Sequence, residues 1–256
     1  MESDFPVRPD SIWDNVSKAS EELSKAAHPV DYPQMVNGSK VLMLGETHGN
    51  ERIGDHLIAH ISELQKLGFT HYVIEAPVSS KAVIDTLKTD PELDLSTTRL
   101  GPDSDYYYQQ IVRAMVHAGV EVVPIAMEKH NGRQDYEKIM VSNFTALLKD
   151  RAVNKVVTLI GGGHVVKNPF PGPELSLDVA PQLIKSGVSV SSAQLVGGRS
   201  DLPPRFIRAV EKLGLRDHEF MVDMRAYQIQ PFDELYDLRS DYIVHLPKNV
   251  DHKITQ

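Results

Sequence analysis

Four apolar runs of this chain each end on side chains that can move a proton or hold a cation. Lys40–Leu44 (KVLML) runs into Gly45-Glu46-Thr47-His48-Gly49, and Thr70–Ile74 (THYVI) into Glu75-Ala76-Pro77. Val120–Ala126 (VEVVPIA) runs into Met127-Glu128-Lys129-His130, with Arg133 and Asp135 just beyond. Lys155–Ile160 (KVVTLI) runs into Gly161-Gly162-Gly163-His164. His48 and His164 can ligate a divalent ion through neutral imidazole nitrogens, with Glu75 or Glu46 as the carboxylate. A carboxylate left off the metal can act as general base on a bound water. Without a metal, an imidazole–carboxylate pair can activate water directly. Glycines beside each His allow close backbone approach and leave amides facing a developing oxyanion. Arg133 can neutralise that charge or clamp a carboxylate.

Each residue also has a plainer reading. A His after a strand is commonly a hydrogen-bonded structural residue. Glu75 could favour the start of the helix that follows it. Gly161–Gly163 could be an anion-binding turn, although it lacks the Lys-Ser/Thr ending of a phosphate loop. His56 and His60 lie four apart on a predicted helix and could share a metal. Leu57 rather than Glu follows His56, so the H-E-x-x-H signature is absent and the pair reads as a solvated face. No G-x-S-x-G elbow anchors a serine triad. Tyr106-Tyr107-Tyr108 reads as a packed helix start from which one ring could reach the strand ends.

The elements that must position these residues follow an α/β rhythm. Helical spacing is predicted over Ser11–Ala27, Asn50–Leu67, Ser80–Lys88, Asp103–Ala118, Asp135–Asp150 and Leu177–Ser186, with one more helix in 198–216. Pro29 and Pro33 are read as ending the first, and Trp13 as packing it on the body. Further strands are predicted at Ser189–Leu195, Glu219–Met224 and Asp241–Leu246. Pro124 places its strand at an edge or near a strand end. Strands separated by helical crossovers imply an α/β fold: a mainly parallel central sheet with helices on both faces. Residues 1–38 are expected to form a lead-in helix packing on the core, and 39–256 a single α/β domain. In such sheets ligands bind beyond the carboxyl ends of the strands, where the four segments converge.

Composition narrows the chemistry. The 256 residues include 27 Lys and Arg against 35 Asp and Glu, for a net charge of −8. An acidic chain without a basic stripe argues against nucleic acid as a partner. There is no Cys, so thiolate nucleophiles, disulfides and Cys-ligated zinc are excluded. A metal would have to be zinc, manganese, cobalt or iron on His and carboxylates. No apolar run approaches the ~20 residues of a spanning helix. The chain reads as a cytoplasmic protein acting on a small molecule or peptide, with secretion after leader removal as the alternative.

The segment VLMLGETHGNERIGDHLIAHISELQKLGFTHYVIEAP resembles the opening of the superfamily that joins erythromycin esterases, ChaN-type haem-uptake proteins and Tiki/TraB metalloproteases. The resemblance rests on Gly45, Glu46, His48, Gly68, Phe69 and Glu75. It continues through Arg133-Gln134-Asp135 with Met140 and Asn143, through Gly161-Gly162-Gly163-His164, and through Ser240–Val244, so that it spans about residues 39–246. It implies an erythromycin-esterase/ChaN-like fold with one site built from His48, Glu75 and His164, supported by Glu46 and Arg133. The implied activity is hydrolysis of an ester, lactone or peptide bond, with His48, Glu75 and His164 as ligands wherever a divalent metal is used. A ChaN-like alternative is a non-catalytic haem- or ligand-binding protein with Tyr107 as axial ligand. A third is a peptide-processing enzyme of a natural-product pathway or toxin module.

Overall fold

Alternate residues of each central strand face opposite ways, and here both faces are buried. A computed structural model describes residues 9–46, 51–101, 106–128, 132–167, 178–197, 204–225 and 240–247; the side chains of 9–15, 133, 134 and 204 fall outside that description. In β2 (Val41–Glu46), Leu42 and Leu44 enter one apolar core while Val41 and Met43 enter another. In β3 (Phe69–Pro77), Tyr72 and Ile74 join the first core and Val73 the second. Two-sided burial is why these strands read as continuous apolar runs, as in parallel sheets generally.

Eight strands form one sheet: β1 (Ala27–His28), β2, β3, β4 (Glu121–Ala126), β5 (Lys155–Gly161), β6 (Val190–Gly197), β7 (Phe220–Asp223) and β8 (Tyr242–Leu246). Their order is β1-β7-β8-β6-β2-β5-β3-β4. Every pairing from β8 to β4 is parallel, and β7 runs antiparallel to both β8 and β1. The α/β expectation with a mainly parallel sheet and helices on both faces therefore holds. β4 is an edge strand, which accommodates Pro124 opposite Ile74.

One face is covered by α2 (Tyr32–Val36), α3 (Glu51–Ala59), α4 (Ile61–Lys66), α5 (Lys81–Leu87) and α6 (Tyr106–His117). The other carries α7 (Arg133–Leu148) and α8 (Val179–Lys185), together with α1 (Pro9–Ala26) and α9 (Pro204–Lys212). Leu23 of α1 packs with Phe206 and Val210 of α9 beneath Phe220 and Val222. The residue after α1 enters the sheet as β1, a strand too short to have a periodic signature.

Two sequence expectations are corrected. Pro33 does not terminate α1, which ends at Ala26 ahead of β1; it sits in the first turn of α2, where its missing N–H costs nothing. The Asp31 carboxylate caps that turn by accepting the Gln34 N–H at 2.9 Å. The predicted helix over Asn50–Leu67 is two helices. At the break the His60 N–H turns to the Leu57 carbonyl at 3.2 Å, while its ring Nδ1 lies 2.8 Å from the His56 carbonyl. The side chain thus occupies the acceptor that a continuous helix would give to the backbone.

Candidate active site

The C-terminal ends of β2, β3 and β5 bring Glu46, Glu75 and Gly161 to one rim. Glu46 is in register with Gly161, and the Gly161 N–H donates to Glu75 Oε2 at 3.0 Å. Beyond Gly161 the chain makes a tight 3-10 turn, Gly162–Val165, that carries His164. The turn is close-packed on Gln194 of β6, whose Nε2 donates to the Gly162 carbonyl at 2.8 Å. A Cβ on Gly45 would lie 2.4 Å from Val165 Cγ2 and 2.6 Å from Gln194 Oε1, so glycine there is a condition of the turn's approach.

His164 lies between two buried carboxylates. Its Nδ1 is 2.8 Å from Glu137 Oε1 and its Nε2 is 3.5 Å from Glu75 Oε1. The Nδ1 approach is short but poorly aligned for a hydrogen bond, so this is an ion-pair contact first. Glu75 comes from β3, two residues past Val73 and on the same face. Glu137 comes from α7, which covers that face. Their exposures are 6% and 1%, which makes both unusual for ionised side chains without a partner. The Tyr136 hydroxyl donates to Glu75 Oε1 at 2.9 Å.

The electrostatics follow from this packing. Burial alone would lower the His164 pKa, but Glu137 and Glu75 reverse the sign and raise it to about 10. Burial would likewise raise the Glu75 pKa; His164, the Gly161 N–H and the Tyr136 hydroxyl instead hold it below the usual carboxylate value. The Tyr136 hydroxyl is pushed well above its ordinary range by burial and by Glu75. The packing thus favours the charged imidazolium of His164 facing the Glu75 carboxylate.

Glu46 is anchored separately. Two residues past Leu44, it leans to the α6 face, 3% exposed, and accepts the Tyr107 hydroxyl at 2.8 Å and the Tyr108 hydroxyl. The reading of Tyr106–Tyr108 as a packed helix start with one ring reaching the rim falls short: Tyr107 and Tyr108 both reach it, and Tyr106 is exposed. The structure thus brings Glu75 and His164 into contact and places Glu46 two strands from Glu75. His48 and His130 lie outside the described residues, as does the Arg133 side chain, although Arg133 begins α7. Asn143 donates to the Ile125 carbonyl at 2.9 Å, and Met140 is core, so both serve to dock α7.

Of the expected metal ligands Glu75 and His164 are in contact, and the third, His48, lies outside the described residues. The Tyr107 hydroxyl is 2% exposed and committed to Glu46, a poor setting for an axial haem ligand. The solvated-face reading of His56 and His60 is overturned. His56 is 5% exposed, and both rings face Glu219 in a group with the spacing of metal ligands.

Glu137 was missed by sequence reading, together with Tyr136 and Gln194. A signal for Glu137 existed. Glu137, Met140 and Phe144 follow helical spacing, so an acid stands on the apolar stripe of α7. A buried acid needs a partner, and the glycine-flanked His164 is it.

No family model matches the sequence, and no curated protein matches it. Solved structures share the fold. A succinoglycan biosynthesis protein superposes with a TM-score of 0.63 at 11% identity, over 91% of this chain and 97% of its own. A protein from Bacillus cereus superposes at 0.61 and 12%, with the same coverage. The type III effector HopBA1 superposes at 0.52 and 14%, over 87% of this chain and 97% of its own. At these identities the likeness concerns the fold alone. The chain has a mixed α/β fold with an eight-stranded, mostly parallel sheet, and no described helix is long and apolar enough to cross a membrane.

Proposed function

We propose that the protein is a hydrolase of an ester, lactone or amide bond, with its reaction centre at the ends of β2, β3 and β5. The observation that supports this reading best is the buried Glu75–His164–Glu137 group. A buried imidazole between two desolvated carboxylates gives little stability that a well-packed apolar group would not. It does keep a proton on the ring for delivery.

In the proposed reaction the scissile carbonyl lies over the Gly161–Gly163 turn. Water adds to the carbonyl carbon and gives its proton to a base, a role assigned to His48 with Glu46 in support. The C–O or C–N bond then breaks, and the leaving atom takes the Nε2 proton of His164. Glu75 and Glu137 stabilise the imidazolium before this step, and Tyr136 orients Glu75. Arg133, at the start of α7, is assigned to the charge that develops on the carbonyl oxygen.

The test is turnover of a panel of chromogenic acyl esters, lactones and fluorogenic peptides by the wild type and by His164→Asn. At least a hundredfold loss in kcat with an unchanged circular dichroism spectrum is expected. Full activity in His164→Asn removes the reading.

A further inference from the structure

On the α3 side of the sheet, well away from His164, a second group of side chains has no part in that chemistry. Glu219 precedes β7, which lies three strands from β2 in the sheet order, or roughly 14 Å by strand spacing. The break between α3 and α4 sets the His56 and His60 rings against each other, with centroids 4.5 Å apart. His56 Nδ1 is 3.2 Å from Glu219 Oε1. One ligand-type atom from each of the three residues falls within 4.8 Å of the others.

We propose that His56, His60 and Glu219 form a binding site for a first-row divalent cation of the zinc type. Two independent observations support a ligand here. First, His56 Nδ1 is buried and makes no hydrogen bond, yet it points at Glu219. Second, each ring is held by its other nitrogen. The Tyr32 hydroxyl is 2.9 Å from His56 Nε2, and His60 Nδ1 is 2.8 Å from the His56 carbonyl. Fixing one imidazole nitrogen to orient the other is what metal-ligating histidines require. Donation from His60 Nδ1 to the carbonyl leaves His60 Nε2 with its lone pair. Donation from His56 Nε2 to Tyr32 leaves His56 Nδ1 with its own. The donors are two neutral nitrogens and one carboxylate oxygen, which suits zinc, cobalt or nickel over magnesium or calcium. Glu219 is 35% exposed on its side chain, so the outer coordination position opens to water.

The test uses the full-length, untagged protein after chelator treatment. Zn²⁺ is titrated by calorimetry and Co²⁺ by visible absorption, with His60→Gln and Glu219→Gln as variants because neither side chain is in the core. One equivalent is expected for the wild type and for His164→Asn, with at least tenfold weaker binding in His60→Gln and in Glu219→Gln. Zn²⁺ should raise the Tm of the wild type and not that of His60→Gln. The proposal is overturned by absence of stoichiometric binding in the wild type, by unchanged binding in the His60 and Glu219 variants, or by binding that only His164→Asn abolishes. Since His164→Asn is the variant that tests the hydrolase reading, the two proposals fail separately.

Discussion

Replacing Glu137 by Gln removes one charge from the His164 group and little else. The amide keeps the volume of a residue that is 1% exposed at the end of the Met140–Phe144 stripe. The folded-state pKa of His164, about 10, lies above its ordinary value of 6.5. Stability from the charged ring is therefore complete below about pH 6.5 and is lost as pH rises through about 10. At about 1.4 kcal/mol per pKa unit, that gap corresponds to roughly 5 kcal/mol, shared between two carboxylates. Losing one of them should cost about 2–3 kcal/mol near pH 7, at or just below the roughly 3–5 kcal/mol typical when a buried pair is broken. Two measurements check this. Long-range proton–nitrogen correlation spectra, assigned through His164→Asn, should show His164 still protonated at pH 9 in the wild type and titrating at least one unit lower in Glu137→Gln. Urea midpoints across pH 6–10 should fall steeply for the wild type and much less for the variant, with the slope m unchanged. A wild-type His164 titrating near 6.5, or one unmoved by the substitution, would refute the assignment of Glu137 as its counter-ion.

Glu75 carries the opposite sign of linkage. Its folded pKa is depressed, so its contribution is present above about pH 4.5 and disappears as pH falls; Glu75→Gln should flatten the acid limb of the stability profile and cost at least a hundredfold in kcat, whereas an unchanged acid limb would count against its ion pair. Gly45→Ala should destabilise by about 1–3 kcal/mol through overpacking against Val165 and Gln194, read as a lower urea midpoint. Tyr107→Phe deletes a hydrogen bond to a buried carboxylate and should cost about 1.5–3 kcal/mol; a neutral urea midpoint would mean that this bond adds nothing to what the other partners of Glu46 supply.

Parts of this architecture were legible because they obey one period. β2, β5 and β6 are buried on both faces, so apolar runs announce them, and the residues just past the runs are the rim. What escaped depends on contacts remote in sequence. The α3–α4 break at His60 comes from a ring nitrogen competing for the His56 carbonyl, and helical spacing continues straight through it. The burial of His56 depends on Tyr32 from α2 and on Glu219 from the strand order. Glu75 is legible as a rim residue because it follows the apolar run Thr70–Ile74. Glu137 was overlooked because an acid on a helix ordinarily reads as solvated, and only β3 and the 3-10 turn make it a partner.

The geometry also changes the role that chemistry gives His164. A histidine near a strand-end carboxylate suggests a general base. A second carboxylate on Nδ1 instead keeps the ring charged, and a protonated imidazole can donate but cannot accept. Glu75 is no substitute base, because it already accepts from Gly161 and Tyr136 and faces the imidazolium. Two tyrosine hydroxyls engage Glu46 on the opposite face. On the proposed hydrolytic reading His164 is therefore the acid, and the base is assigned to His48. That division makes a specific demand on kinetics. The limb of the pH–rate profile that rises from acid pH should belong to His48 and vanish in His48→Gln. The falling alkaline limb should belong to His164 and move toward neutrality in Glu137→Gln. A rising limb that shifts with Glu137→Gln would reverse the two roles and make His164 the base.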